Sequence, residues 1–232
     1  EDPNIAALQP KLLDEKRKEF FEYAGAAGGF LDRFGFPFCR GRVFESLEED
    51  KGQYDQVCDV HWASGACLFI RQSLYNEVGG LDADFFAHME EIDLCWRIRN
   101  RGYRIICAPE SSVYHVGGAT LQQGSSHKAY LNFRNNLFIL LKNDRSAWTT
   151  GLITFRMALD GVAAWKFLFS GQSGAFFAVA KAHFHFYTSF FKMLKKRMLL
   201  KKKEVHSAEI YKISVVYQHF IQKLDKYSDL RF

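Results

Sequence analysis

The sequence predicts an α/β protein, with a mixed sheet over residues 1–145 and a helical, aromatic and basic extension over 146–232. Two observations carry this. Short apolar runs alternate with segments of helical 3,4 spacing up to about residue 145, as in layered α/β domains. Beyond residue 146 the pattern is helical throughout, with eight Phe between Phe167 and Phe191. The predicted element order of the first part is strand, helix, helix, strand, strand, which argues against a purely parallel sheet.

A buried strand is expected at Ile5–Leu8, then a charged helical run from Asp14 to Phe20. The glycine-rich and aromatic stretch up to Asp55 reads as long ordered loops. Its glycines do not form a G-x-G-x-x-G phosphate cradle. WASGACLFIR is expected to form a strand centred on Ala66–Ile70, and RQSLYNEVGG a short helix closed by Gly79 and Gly80. In AHMEEIDLCWRIRNRG, the residues Phe85, Met89, Ile92 and Trp96 follow helical spacing and Gly102 stops the element. YRIICAP and SSVYHVGG read as two short strands. Residues 127–145 form an amphipathic helix with a basic, amide-rich middle.

Composition bounds the class. The chain has 232 residues, is 48% hydrophobic and carries a net charge of +5, as in an ordinary globular protein. The charge excess is concentrated in KMLKKRMLLKKK (192–203), which argues for an anionic partner such as phospholipid headgroups. The five cysteines are widely spaced with no C-x-x-C pair, so they suggest reduced core thiols rather than a zinc or redox site. Beyond residue 146 the longest uncharged run, Phe167–Ala180, has 14 residues, against the roughly 20 a bilayer-spanning helix needs. A helix lying in the membrane surface fits its aromatic and basic composition; an ordinary bundle helix is the alternative.

The segment FFAHMEEIDLCWR holds the densest chemistry. His88, Glu90, Glu91 and Asp93 fall within six residues at a helix start, where the macrodipole favours ionised carboxylates. An ionised carboxylate is what a general base requires. Adjacent helical residues project about 100° apart, so Glu90 and Glu91 cannot share one role. Asp93 and Arg97 stand at i, i+4 and can pair. Taken alone, three acids at a helix start also make a cap with solvated charges.

Other motifs stand at ordered intervals: W-x-S-G-A from Trp62 to Ala66, G-G-L-D from Gly79 to Asp82, G-Y-R-I, V-Y-H-V-G-G and N-F-R-N-N. Together with the acidic segment they resemble the second half of family 2 glycosyltransferases of the GT-A fold, including rhamnosyltransferase-like members that build bacterial surface polysaccharides. The resemblance covers roughly residues 1–145. It implies the acceptor-side and catalytic-base half of a GT-A domain, a Rossmann-like relative. The donor-nucleotide half, with its Asp-x-Asp motif, is expected upstream, and this portion by itself is expected to be inactive.

The resemblance further implies sugar transfer from a nucleoside-diphosphate-sugar to a hydroxyl, with inversion. It assigns the base to Glu91, where the family usually has Asp, and leaves Glu90 and Asp93 as neighbouring candidates. His115, on its own residues a core or loop histidine, becomes a ligand for a divalent metal (Mn²⁺ or Mg²⁺) or a diphosphate contact. Trp62, Ser64, Gly65 and Ala66 are expected to line the sugar pocket. Arg97 and Arg134 join them as donor- or acceptor-binding candidates; the Asp93 spacing reads Arg97 as positioning, and Arg134 could reach a diphosphate in a bidentate fork. Arg40 and Arg42 are candidates for a carrier phosphate.

The expected acceptor is a glycan or lipid-linked glycan. The expected location is the cytoplasmic side, peripheral on the inner face of the plasma membrane. An apolar edge facing a missing half would favour a homo-oligomer. The rival reading is a non-catalytic membrane-docking or acceptor-binding module of the same ancestry. Nucleic-acid binding is disfavoured by the Phe and Leu interleaved with the lysines.

Overall fold

The computed structural model describes residues 2–117, 125–200 and 211–231; Gly118 and the lysines at 201–203 of the motifs above lie outside them. The described residues form two compact units. One comprises 2–81, Leu94–Gly117 and 211–231, and the other Asp82–Asp93 and 125–200. The architecture is the expected mixed α/β.

The first unit is built on β1 (Ile5–Asp14), which pairs in parallel with β8 (Arg104–His115). Two short antiparallel strands flank this pair, β7 (Phe69–Ile70) on β1 and β6 (Cys58–Asp59) on β8. The sheet order is β6-β8-β1-β7. A second sheet, β2 (Gly29–Leu31), β3 (Pro37–Cys39), β4 (Arg42–Val43) and β5 (Ser46–Leu47), forms an antiparallel meander where long loops were expected. α6 (Val215–Phe220) and a 3₁₀ turn at Tyr227–Asp229 belong to the same unit. Tyr211, Val215 and Leu230 share a buried cluster with Phe38 and Val43.

Several elements depart from the sequence reading. β1 continues past Leu8 to Asp14 because its polar residues are buried with partners. Gln9 Nε2 donates to the Gly25 and Ala26 carbonyls, and Lys11 Nζ lies 2.7 Å from Asp50 Oδ2. The predicted helix over Asp14–Phe20 is a turn: Asp14 Oδ1 accepts from the Lys16 and Arg17 amides, an Asx arrangement that competes with helix. The strand expected at Ala66–Ile70 is reduced to Phe69–Ile70, since Ser64 Oγ accepts from Ala66 N and its carbonyl from Cys67 N. The two strands expected over YRIICAP and SSVYHV are one, β8, interrupted by a bulge. Pro10 pairs with Ala108 and Lys11 with Ser112, leaving Pro109, Glu110 and Ser111 outside the register. α1 (Gln72–Val78) ends as predicted, with Gly79 left-handed at φ 85°.

The second unit holds α3 (Ser126–Asn143), α4 (Thr149–Phe169) and α5 (Ser173–Leu199). Ser125 caps α3, its side chain accepting from Lys128 N. α3 and α5 pack through Tyr130 and Leu131 against Ala178 and Ala182, small residues that admit close approach. The uncharged run Phe167–Ala180 is split between α4 and α5 at Gly171, φ 76°. Among the described residues, no helix is long and apolar enough to cross a membrane. The division between the units falls within α2 (Glu90–Arg99), after Asp93.

Candidate active site

The acidic segment is reached through a loop, Asp82–Met89, with an unusual backbone. Phe86, His88 and Met89 all adopt left-handed conformations, at φ 66°, 64° and 71°. Each such non-glycine residue costs on the order of 1–3 kcal/mol and persists only where its surroundings enforce it. Here α3 supplies the enforcement. Asn135, fully buried, donates through Nδ2 to the carbonyls of Phe85, Ala87 and His88 at 3.0, 2.9 and 2.7 Å. Arg134 Nη2 donates to the Asp84 and Phe85 carbonyls, both at 3.0 Å.

A charge network holds the two ends of the loop. Lys142, 4% exposed, lies 2.6 Å from Asp82 Oδ2 and 2.8 Å from Asp93 Oδ2. Asn143 Nδ2 donates to Asp93 Oδ1 at 2.7 Å. From α5, Lys196 bonds Asp82 and Asp84, and Lys192 bonds Asp84, each at 2.5 Å. Burial pushes the Asp82 carboxyl upward, but the Lys142 and Lys196 hydrogen bonds outweigh it and hold it well below the ordinary carboxylate range. Asp84 is lowered in the same way, by Lys192 and Lys196 against burial.

This arrangement sorts the acids. Asp93 is 0% exposed and accepts from an ammonium and an amide, so it anchors the loop to α3 and has no access to a substrate. Glu90 and Glu91 are half-buried in the first turn of α2. Burial raises the Glu90 carboxyl pKa, and its Oε2 is buried without a hydrogen-bond partner. His88 Nε2 is likewise buried and unpartnered; burial, then Lys128 and His127, hold its imidazole below the usual value. The Asp82-Ala83-Asp84 triplet is occupied by lysines.

The remaining candidates take other places. Arg134 uses its guanidinium internally: besides the loop carbonyls, Nη1 donates to Tyr130 Oη and Nε to Asn135 Oδ1. In the first unit, Trp62 is 3% exposed, with its indole N–H on the Phe30 carbonyl and its ring against Gly29, where a Cβ would stand 2.1 Å away. Its ring therefore has no face open to a sugar. Ser64 is buried and its amide donates to Gln9 Oε1; Gly65 is exposed and Ala66 half-buried in the following turn. Arg97 donates to the Val78 and Gly80 carbonyls, both at 2.6 Å, closing the end of α1. Arg40 and Arg42 are also turned inward, Arg40 onto the Ala27 and Gln56 carbonyls and Arg42 onto the Phe44 carbonyl and Cys39 Sγ.

His115, at the end of β8, has Nδ1 3.3 Å from Glu22 Oε1, outside hydrogen-bond alignment. The expected divalent-ion role of His115 calls for further carboxylates from the Asp-x-Asp motif upstream of these residues. Among the described residues, no group of three or more His, Cys, Asp or Glu side chains converges as metal ligands.

Sequence reasoning missed Asn135, Lys142 and Asn143 as the residues that hold the acidic segment. The N-F-R-N-N motif in the middle of α3 signals Asn135, whereas Lys142 and Asn143, the last two residues of that helix, carry no comparable mark.

Comparison with known proteins bears on the class of the chain. No protein-family model matches the chain. Several curated relatives are sugar transferases. Over 90 residues the chain is 33% identical to the N-acetylglucosaminyl-diphospho-decaprenol L-rhamnosyltransferase of Mycobacterium tuberculosis, covering 38% of this chain and 29% of that protein. Over 123 residues it is 30% identical to the low-salt glycan biosynthesis hexosyltransferase Agl10 of Haloferax volcanii, covering 49% and 40%. The rhamnosyltransferase WbbL of Escherichia coli K12 is 27% identical over 104 residues, covering 45% and 39%. The chain thus spans less than half the length of the curated relatives it matches. These relatives agree with the resemblance to rhamnosyltransferase-like family 2 glycosyltransferases.

Proposed function

We propose that this chain is the catalytic-base portion of an inverting family 2 glycosyltransferase that transfers a sugar from a nucleoside-diphosphate donor to a hydroxyl of a lipid-linked glycan. The observation that carries the reading is the clamped loop. Arg134, Asn135 and Lys142 fix a strained backbone immediately before two half-buried carboxylates, the precise placement that proton transfer requires. The sugar-transferase relatives support the same class.

In the proposed reaction the acceptor oxygen attacks the anomeric carbon as the bond to the diphosphate breaks. Glu91 takes the hydroxyl proton and the nucleoside diphosphate leaves as the anion. Glu91 holds this role by the resemblance, and Glu90 is its neighbour of raised basicity. His115 would be one ligand of a divalent metal (Mn²⁺ or Mg²⁺) whose other ligands, the Asp-x-Asp carboxylates, are expected upstream of these residues; such an ion would supply charge neutralisation at the leaving diphosphate.

Membrane-surface attachment belongs to the same proposal. Phe177, Phe184, Tyr187, Phe191 and Met198 recur along one side of α5 at spacings of 7, 3, 4 and 7, and all are exposed, Phe191 at 81%. Lys181 and Lys195 stand exposed on the same helix, the composition of a helix lying in a headgroup layer.

The test is nucleotide release by the full-length protein across a donor panel, with membrane extract as acceptor. Glu91→Gln is expected to reduce turnover by about 10²–10⁴-fold while donor binding persists. Wild-type turnover by Glu91→Gln refutes the assignment of the base. No donor consumption by the wild type favours the acceptor-binding module instead.

A further inference from the structure

We propose that a cleft between α3 and α5 binds the diphosphate of the lipid-linked acceptor; this rests on the glycosyltransferase reading and adds a site to it. The cleft has a volume of about 300 Å³ and is lined by Arg134 and Phe138 from α3, His185, Thr188, Ser189, Lys192 and Met193 from α5, and Asp84. Met193 and Phe138 are buried and form its floor. The polar residues of α5 lie at i, i+3, i+4 and i+7 and so share one side of the helix.

Hydrogen bonds tie Arg134, Tyr130 and His185 together beside the cleft. Arg134 Nη1 donates to Tyr130 Oη at 2.8 Å, and Tyr130 Oη is 2.6 Å from His185 Nδ1. Tyr130 Oη accepts from the guanidinium and keeps a proton of its own; given to Nδ1, that proton leaves the second ring nitrogen, Nε2, to carry a hydrogen that can be donated. In that tautomer His185 is a donor among the cleft-lining side chains. Ser189 adds a hydroxyl. Lys192, its side chain 60% exposed, adds an ammonium with three donors, one of which meets Asp84 Oδ1. Asp84 does not oppose an anion strongly, because its other oxygen is bonded to Lys196 at 2.5 Å. Donors and positive charge therefore converge where a phosphate oxygen could accept from several at once.

The position on α5 identifies the kind of phosphate. The cleft-lining side is flanked along the helix by the exposed stripe of Phe184, Tyr187 and Phe191. A ligand whose phosphate enters the cleft and whose hydrocarbon tail lies along this stripe satisfies both surfaces. Phospholipid headgroups and an isoprenoid diphosphate share that chemistry. A diphosphate matches the convergence of His185, Ser189 and Lys192 better than a single diester, and we commit to it. The Mycobacterium tuberculosis relative is named for a diphospho-decaprenol substrate.

The experiment is binding of farnesyl diphosphate to the full-length protein by calorimetry, beside inorganic pyrophosphate and phosphatidylglycerol vesicles. The Ser189→Ala/Lys192→Ala variant is expected to bind farnesyl diphosphate at least tenfold more weakly, with pyrophosphate weakened in parallel and vesicle binding largely kept. Unchanged farnesyl diphosphate affinity in the variant overturns the proposal. So does an equal loss of vesicle binding, which would assign the cleft to bulk headgroups. Ser189→Ala alone, a change of one hydroxyl, reads the same affinity should the double variant fail to fold. The readout is binding, so a failure here is distinguishable from a failure of the Glu91→Gln turnover test.

Discussion

Replacing Lys142 with Met removes the one ammonium that lies between Asp82 Oδ2 and Asp93 Oδ2, at 2.6 and 2.8 Å, and keeps most of its volume. The three side chains are 4%, 10% and 0% exposed, so water cannot replace the lost partner. Asp93 would keep Asn143 and Asp82 would keep Lys196, yet each would be an under-compensated buried charge. Breaking a buried pair from one side costs about 3–5 kcal/mol, whereas an exposed pair is worth about 0–1 kcal/mol. With a urea slope of about 2 kcal/mol/M, Lys142→Met should lower the unfolding midpoint by roughly 2 M. Lys192→Met, which breaks the exposed pair to Asp84, should barely move it. Adding Asp93→Asn to Lys142→Met should recover part of the loss, since the stranded charge is then gone. Urea unfolding followed by circular dichroism decides the matter. Equal midpoints for Lys142→Met and Lys192→Met would refute the claim that a buried network holds the loop.

Two further outcomes follow from the same site. Glu90→Gln should stabilise the protein slightly at pH 7, because burial disfavours the ionised carboxylate and the substitution removes its charge. Glu90 has a raised folded-state pKa, so its penalty is absent below its unfolded value of about 4.3 and present above the folded one; thermal melts at pH 4 and pH 7 should show the gain only at pH 7. Asp82 and Asp84 are depressed, so their contribution is full above about pH 4 and is lost as pH falls through their folded values. The acid limb of stability should therefore be shallower in Asp82→Asn than in the wild type, and identical limbs would show that the lysine contacts carry no linkage.

Much of the fold was legible because its signals are local. The Gly79 cap of α1, the apolar spacing of α2 and the amphipathic α3 are each written within one or two turns of chain. β1 was read short because Gln9 and Lys11 look like surface residues until the distant Gly25, Ala26 and Asp50 supply their partners. The return of 211–231 to the small sheet had no local mark either; it depends on pairings such as Val215 N with Asp32 Oδ2, 183 positions apart. At the site, the acidic cluster was visible as composition, but the sorting of its members was not. Asp93 looks as available as Glu91 in the sequence, and only Lys142 and Asn143, some fifty residues on, withdraw it. Trp62 was misjudged for the converse reason: its ring is used by Gly29, which as a letter announces only flexibility.

The bulge in β8 has a consequence for how this sequence can change length. Side chains of a strand alternate between faces, so an odd number of surplus residues inverts every position that follows. Pro109, Glu110 and Ser111 are three, and they decide which face receives Val113, Tyr114 and His115. Removing one residue there would turn His115 away from Glu22 and send its neighbours to the opposite side, although no residue near Glu22 had been altered. Removing two would keep the parity. Descendants of this chain should tolerate length changes at Pro109–Ser111 in pairs and reject single ones, a rule of inheritance written in the geometry of one strand.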